Sequence, residues 1–309
     1  MNSPLALIGL GLVGKALISR LLPAGYTVIG FDISDAARAD AQALGAPLAA
    51  SAREAAGQCD VVLLSLPNSE IVCRLLWEEG LAEALQPGAW VLDTTTGWPA
   101  HARENARRLA ERGVGFADVT LSGSSEDIAR GEATALVGAE DPRGAGVSPV
   151  GGGSLPRQTG ETPVLRPDLA ALLTTLAGRV FYLGEPGAGC LAKLVTNHVM
   201  GLNRAALAEG LALGLKAGLS GETLLEVLRE SAAYSRVLDM KGRRMVEGDF
   251  APASRIAQHE KDVRLILRLA QELGARVPLE KVHGELLREA IEQGWGGQDN
   301  AALVRVFSE

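Results

Sequence analysis

The stretch "LALIGLGLVGKALISRLLPAGYTVIGFDIS", residues 5–34, decides the fold. Residues 5–8 form an unbroken apolar run, as in a strand buried on both faces. Gly9, Gly11 and Gly14 follow, enclosing Leu10, Leu12 and Val13. Leu17, Ile18, Leu21 and Leu22 then recur at helical spacing. A second apolar run, "YTVIGF", ends at Asp32, eighteen residues past Gly14. Strand, glycine turn, helix, strand and terminal acid in this order read as a βαβ unit that binds a dinucleotide. The first glycine permits the tight turn, the second lets the backbone approach a pyrophosphate, and the third lets the helix pack on the strand. The pyrophosphate then lies at the positive end of the helix. Asp32 accepts hydrogen bonds from both hydroxyls of an adenosine ribose and repels a 2′-phosphate, which favours NAD over NADP. Arg38 is close enough in sequence to weaken that preference. Gly9, Leu10, Gly11, Leu12, Val13, Gly14 and Asp32 are the first candidate cofactor contacts.

The α/β pattern continues. "CDVVLLSLP" reads as a buried strand ending at Pro67, and "AWVLDTTT" as another ending near Asp93. Helical stretches lie between, including 69–77 and 99–112, and "VGFADVTLSGSS" and "ATALVGAE" supply two more strands. Ligands bind beyond the carboxyl ends of such strands. Ser65, Leu66, Pro67, Thr96 and the run Ser122, Gly123, Ser124 fall there. Residues 141–167 hold five prolines and six glycines without apolar periodicity, the pattern of a long loop or insertion. After "GRVFYLGEPGAG" the sequence is helical to its end. Residues 190–217 read as one long helix, apolar on most faces and so buried, in part by a second subunit. Shorter helices start near Ser220, Glu260 and Leu279. The expected architecture is a mostly parallel α/β Rossmann domain over 1–185 and an all-helical domain over 186–309.

Composition narrows the function. Net charge is −7 with no block of like charges, which argues against nucleic acid as a partner. The cluster Lys241, Arg243, Arg244 reads as a solvated helix end. No stretch of 18 apolar residues offers a membrane span, and the N-terminus reads as a first strand rather than a signal peptide. Cys59, Cys73 and Cys190 are odd in number and lack metal-ligand spacing, consistent with free thiols in the cytoplasm. His101, His198, His259 and His283 show no such spacing either, so no metal is expected.

Within "GAGCLAKLVTNHVMGL", residues 187–202, Lys193 is the one basic residue before the apolar helix proper. Asn197 follows one helical turn later, on the same face. A lone helical lysine usually lays its stem on apolar surface and keeps its head in water. The alternative is a proton donor and acceptor held in a site.

The ordered motifs "GLGLVGKAL", "LLSLPNS", "DTTTGWP", "DVTLSGSSEDIARGEATALVG", "GEPGAGCLAKLVTNH" and "HEKDVRL" resemble the β-hydroxyacid dehydrogenase family over nearly the whole chain. That family includes 3-hydroxyisobutyrate dehydrogenase and tartronate semialdehyde reductase. The resemblance implies a helical second domain built around a long interdomain helix, and a homodimer or homotetramer. It implies hydride transfer between NAD and a short β-hydroxy acid or semialdehyde. It also implies catalysis by Lys193, substrate binding by Ser122, Gly123, Ser124 and Asn197, and cofactor contacts from Leu66, Pro67, Thr96 and Lys261. A free lysine titrates at about 10.4, so base work near neutral pH requires burial or cofactor charge to lower it. Ser124 stands where the family commonly has glycine, as in the similar glyoxylate and succinic semialdehyde reductases. Those usually prefer NADPH and carry Asn-Arg where this chain has Asp32-Ile33. Tyr234 and Arg236 occupy a stretch that is usually smaller. An imine reductase shares the architecture, but Lys193 argues against it. A non-catalytic dinucleotide-binding protein would be expected to lose the lysine or the serine loop, and both are present.

Overall fold

The computed structural model describes residues 4–140 and 165–308. The chain divides into two compact units, Met1–Lys193 and Leu194–Glu309. Most of the Gly/Pro-rich segment lies outside the described residues.

In the first unit the chain runs β1 (Leu5–Ile8), α1 (Leu12–Leu21), β2 (Val28–Phe31), α2 (Asp35–Ala43), α3 (Ala52–Gly57) and β3 (Val61–Leu64). It continues through α4 (Ser69–Trp77), α5 (Leu81–Ala84), β4 (Trp90–Asp93), α6 (Pro99–Ala110), β5 (Gly115–Ser122), α7 (Ser125–Arg130) and β6 (Thr134–Glu140). Then come α8 (Pro167–Leu176), β7 (Arg179–Gly184) and the start of the long helix α9 (Ala188–Lys216).

The seven strands form one sheet in the order β2-β1-β3-β4-β5-β6-β7. Strands β1 to β5 pair in parallel, β6 is antiparallel to β5, and β7 pairs parallel to β6. The expected mostly parallel Rossmann sheet is therefore present, with a reversed pair at one edge. Strands β1, β3 and β4 are buried at every position, which is why they read as continuous apolar runs. Strand β7 has no fully buried residue, only half-buried and exposed ones. That weak pattern explains why the sequence did not mark it as a strand. Strand order reverses between β1 and β3, whose carboxyl ends form the crevice where such sheets bind ligands.

The second unit contains the rest of α9, then α10 (Gly221–Glu230), a π-helical turn (Leu238–Gly242), α11 (Arg243–Glu247), α12 (Ile256–Leu273), α13 (Pro278–Glu292), a 3₁₀ turn (Asn300–Val304) and α14 (Arg305–Ser308). Its apolar core gathers Ala208, Leu211 and Ala212 of α9 with Leu225, Leu238 and Met245. A second cluster joins Ile256, Val263, Leu287, Trp295 and Leu303.

On α9, Leu191, Val195, Val199 and Leu213 are exposed on the single chain. One expectation changes here: Lys241 is no solvated helix end. It is 6 % exposed, and its ammonium lies 2.7 Å from Asp299, which is fully buried. The misreading arose because the partner is 58 residues further along. Arg243, by contrast, is exposed. Burial alone would push the Asp299 carboxyl up, but Lys241 and the amides of Ala301 and Ser254 outweigh it and hold it below the usual range. Removing one partner of a buried pair leaves the other charge uncompensated. Lys241→Met is therefore expected to cost about 3 kcal/mol, the low end for such a loss because Arg244, 3.4 Å from Asp299, and backbone donors remain, as read by chemical denaturation. A loss below about 1 kcal/mol would show that the pair contributes only as a surface bridge does.

Candidate active site

The glycine loop is built by close approach. Gly9 has φ of +98°, and a Cβ there would stand 2.1 Å from the Ser65 carbonyl oxygen, at the end of β3. A Cβ on Gly14 would stand 2.1 Å from the Gly9 carbonyl oxygen. Gly11 differs, since a Cβ there meets nothing within 4 Å. The chain thus packs tightly beneath the loop and leaves open space above its middle glycine, which suits a phosphate approaching the backbone. Gly11 caps α1 without a side-chain bond, and no acid lies in the first turn, so the helix's positive end keeps its attraction for an anion.

Asp32 is held by this loop. Its Oδ2 accepts from the Leu10 N–H at 2.7 Å, and its Oδ1 accepts from the Ser34 N–H at 2.8 Å. Arg38 is tied to the Asp32 carbonyl oxygen at 2.5 Å and to the Asp35 carboxylate, so its guanidinium already has partners. At the neighbouring strand ends, the Leu66 N–H donates to the Thr95 hydroxyl at 3.1 Å, and the Thr94 hydroxyl donates to the Leu64 carbonyl at 2.8 Å. Pro67 is exposed and Thr96 half-buried. The glycine loop, Asp32 and Leu66 come together at the ends of β1, β2 and β3, and these residues fit a dinucleotide.

Ser122 is the last residue of β5, and Ser124 is the N-cap of α7. Ser124 is committed to that cap. Its N–H and its hydroxyl each donate to Asp127 Oδ2 at 2.8 Å, while its hydroxyl accepts from the Asp127 N–H. Arg130 neutralises the other oxygen of Asp127 at 2.7 Å. The Ser124 N–H and hydroxyl are thus engaged within the loop in this structure.

Asp118 is a residue that sequence reasoning missed. It is fully buried on β5. Its Oδ1 accepts from the Gly187 N–H at 2.7 Å, and its Oδ2 accepts from the Cys190 N–H at 2.6 Å. These are amides of the first turn of α9, so a strand carboxylate does the work of a helix cap. The Thr120 hydroxyl donates to the Gly189 carbonyl at 3.0 Å beside it. Contact is tight enough that a Cβ on Gly189 would lie 2.4 Å from the Leu136 carbonyl oxygen. Burial pushes the Asp118 carboxyl above its usual range, against the pull of those two amides. Burial, then Asp118, pushes the Cys190 thiol well up, which makes it an inert core group. The available signal was an acid inside the otherwise apolar run "GFADVTL".

Lys193 lies one turn beyond Cys190 and is 7 % exposed. The helix therefore does not carry its ammonium to the surface, as a snorkelling lysine's would be. In the second unit Asn197 is 3 % exposed and Asp262 is 6 % exposed. The Asn197 Nδ2 donates to Asp262 Oδ2 at 2.9 Å, and Lys261 Nζ lies 2.8 Å from Asp262 Oδ1. Among the described residues, no group of three or more His, Cys, Asp or Glu side chains could hold a metal ion, and no helix is long and apolar enough to cross a membrane.

Comparison with known proteins follows the two units. Residues 4–150 match the NAD-binding domain of 6-phosphogluconate dehydrogenase, and residues 187–307 match the NAD-binding region of NADP-dependent 3-hydroxyisobutyrate dehydrogenase. The chain is 30 % identical to an L-threonate dehydrogenase of Cupriavidus necator, over 99 % of this chain and 97 % of that one. It is 28 % identical to a 2-(hydroxymethyl)glutarate dehydrogenase of Eubacterium barkeri, over 98 % and 94 %. A crystal structure of a 3-hydroxyisobutyrate dehydrogenase from Salmonella typhimurium superposes with a TM-score of 0.84 at 27 % identity, covering 99 % of this chain and all of that one.

Asp118→Ala leaves two buried amides unpaired, each costing about 1–3 kcal/mol. Hydrogen exchange over residues 187–193 should then quicken at least about tenfold, the equivalent of about 1.4 kcal/mol of local opening. Exchange over the C-terminal turns of α9 should stay close to wild type. Unchanged exchange over 187–193 would show that the helix start does not depend on this carboxylate.

Proposed function

The chain belongs to the β-hydroxyacid dehydrogenase family and is an NAD(P)-dependent oxidoreductase, and we propose that Lys193 moves the proton that accompanies hydride transfer. The observation that carries this assignment is a buried lysine one turn ahead of a buried asparagine on a helix whose start is anchored to the sheet. A nicotinamide cofactor held at the glycine loop would supply the hydride acceptor in its oxidised form, for oxidation, and the donor in its reduced form, for reduction. As a neutral amine, Lys193 takes the hydroxyl proton while the alcohol carbon is oxidised. As an ammonium it returns that proton and steadies the oxygen when a semialdehyde is reduced. Asn197 fixes the orientation of the substrate, so that little freedom is lost at the moment of reaction.

The Ser122 hydroxyl and the Gly123 N–H hold the substrate carboxylate, and the capped Ser124 stiffens the loop that presents them. Pro67, Thr96 and Lys261 join Leu66 and the glycine loop as cofactor contacts. Asp32 sets the preference for NAD, because a 2′-phosphate would face a carboxylate already fixed by two amides. Two chains pair as a homodimer or within a homotetramer, a reading supported by the exposed apolar side chains of α9. The domains divide near residue 185, the smaller substrate region following the nucleotide-binding one. The three free cysteines fit the reducing cytoplasm.

Activity is tested by following NADH formation with hydroxyisobutyrate, glycerate, threonate, γ-hydroxybutyrate and serine-like acids. On whichever acid is oxidised, Lys193→Ala should lower kcat by about 10²–10⁴-fold, the usual contribution of a positioned acid–base group, and leave the NADH dissociation constant within about twofold. Retained turnover would remove Lys193 from the reaction. NADH should bind at least about tenfold more tightly than NADPH, about 1.4 kcal/mol, and Asp32→Ala should narrow the gap. Equal affinities in the wild type would refute the role given to Asp32.

A further inference from the structure

One carboxylate holds two of the groups assigned to substrate and cofactor. Asp262, on α12, is nine-tenths buried and uses its oxygens on different partners. Oδ2 accepts from Asn197 at 2.9 Å, and Oδ1 lies 2.8 Å from the Lys261 ammonium. An ionised carboxylate offers only lone pairs, so the end of Asn197 that faces it must be the amide nitrogen. The rotation that would exchange nitrogen and oxygen is closed off, because it would set two acceptors against each other. Lys261 supplies the nearest positive charge, and Arg204, 2 % exposed on α9, also feels the attraction of Asp262. Together they offset the cost of keeping that charge in the interior.

We propose that Asp262 is a positioning residue of the dehydrogenase site, joining the substrate-side amide of Asn197 and the cofactor-side ammonium of Lys261 through one carboxylate. This rests on the roles given above to Lys193, Asn197 and Lys261. Both Asp262 oxygens lie against protein partners, Asn197 and Lys261. Asp262 acts through Asn197, holding the amide in a single orientation before substrate arrives, so that this ordering does not have to be met during binding and turnover. It also gives Lys261 a fixed resting place from which to meet the cofactor.

A residue that works through another loses its effect when the other is absent. The test is a cycle of Asp262→Leu, Asn197→Ala and the double variant, with Asp262→Asn as the conservative control. On an oxidised hydroxy acid, each of the two single variants should lower kcat/KM by about tenfold to a hundredfold, the range for losing a hydrogen bond to a charged group. The double variant should fall no more than about threefold below the worse single, the range of ordinary non-additivity. Asp262→Asn keeps an oxygen that accepts from Asn197, so it should recover most of what leucine loses in the hydroxy-acid KM. Fully multiplicative losses, or asparagine as damaging as leucine, would overturn the proposal.

A second readout does not depend on turnover. The side-chain NH₂ resonances of Asn197, assigned by their loss in Asn197→Ala, should show slow exchange in the wild type and in Asp262→Asn, and fast exchange in Asp262→Leu. If no acid of the panel is oxidised but these resonances behave as stated, the proposed substrate class and the substrate role of Asn197 fail while the positioning contact stands. If turnover is normal and the resonances exchange alike in all three proteins, the proposal fails and the reading survives.

Discussion

Two amides of a helix end meeting one buried carboxylate is the contact on which the rest of this molecule depends. A helix begins with unsatisfied N–H groups, and in the interior each must find an acceptor. Here Asp118 reaches from the central sheet to Gly187 and Cys190 and fixes both the height and the rotation at which α9 starts. Lys193, one turn on in the same unit, inherits that setting, because successive residues advance by about 1.5 Å and 100°. The absence of side chains at Gly138 and Gly189 belongs to the same contact, since a Cβ at either would stand within 3 Å of an Asp118 oxygen. An acid in a strand core is expensive, and the raised carboxyl of Asp118 registers that expense. A helix placed by a water-exposed cap would have been cheaper and looser.

What the sequence made legible follows from distance along the chain. Strands β1, β3 and β4 are apolar at every position because both faces are covered, and the glycine loop carries its whole mechanism within six residues. Both could be read locally. The reversal of β6 could not, since strand direction depends on the path of the connection and leaves no mark on "ATALVGAE". Asp118 and Gly187 are separated by 69 residues, Asn197 and Asp262 by 65, and Lys241 and Asp299 by 58. In each case a polar residue stood in an ordinary local context and its partner lay beyond any window of periodicity. The candidate site was thus visible as residue types and motif order, while its supporting bonds were not. Ser124 makes the same point at short range. Its motif position suggested substrate binding, yet the spacing Ser124-x-x-Asp127 is also a capping box, and in the folded chain that bond takes its donors.

The second unit keeps a costly interior for a protein of this kind. Arg204 is buried with Nε and Nη2 lacking hydrogen-bond partners, and burial lowers its guanidinium to about 10 despite the attraction of Asp299, Glu280 and Asp262. Glu280 is fully buried, 2.8 Å from His198 and near His283. The rings of His259 and His283 approach to 5.2 Å, and Gly201 has no side chain where a Cβ would stand 2.5 Å from one and 2.6 Å from the other. Apolar residues of similar volume would give at least as much stability as such a cluster. Its retention therefore asks for a reason other than stability, and fixing the orientation of polar groups is the one the neighbouring Asn197–Asp262 bond suggests.

The same logic explains why α9 defeats a hydrophobicity argument. Lys193, Asn197, Gly201 and Arg204 recur at spacings of four, four and three, a single stripe, and this stripe is buried. Leu191, Val195 and Val199 recur at spacings of four on another face, and that face is exposed. Along this part of the helix, apolarity alone does not say which side chains are buried. Polar side chains are drawn inward when chemistry requires a dry, fixed setting, and each needs an internal partner, which Asp262 supplies to Asn197. Apolar side chains remain outward on a single chain when a second chain is to cover them. The start of such a helix is not set by amphipathicity, and Asp118 holds it instead through the amides of Gly187 and Cys190.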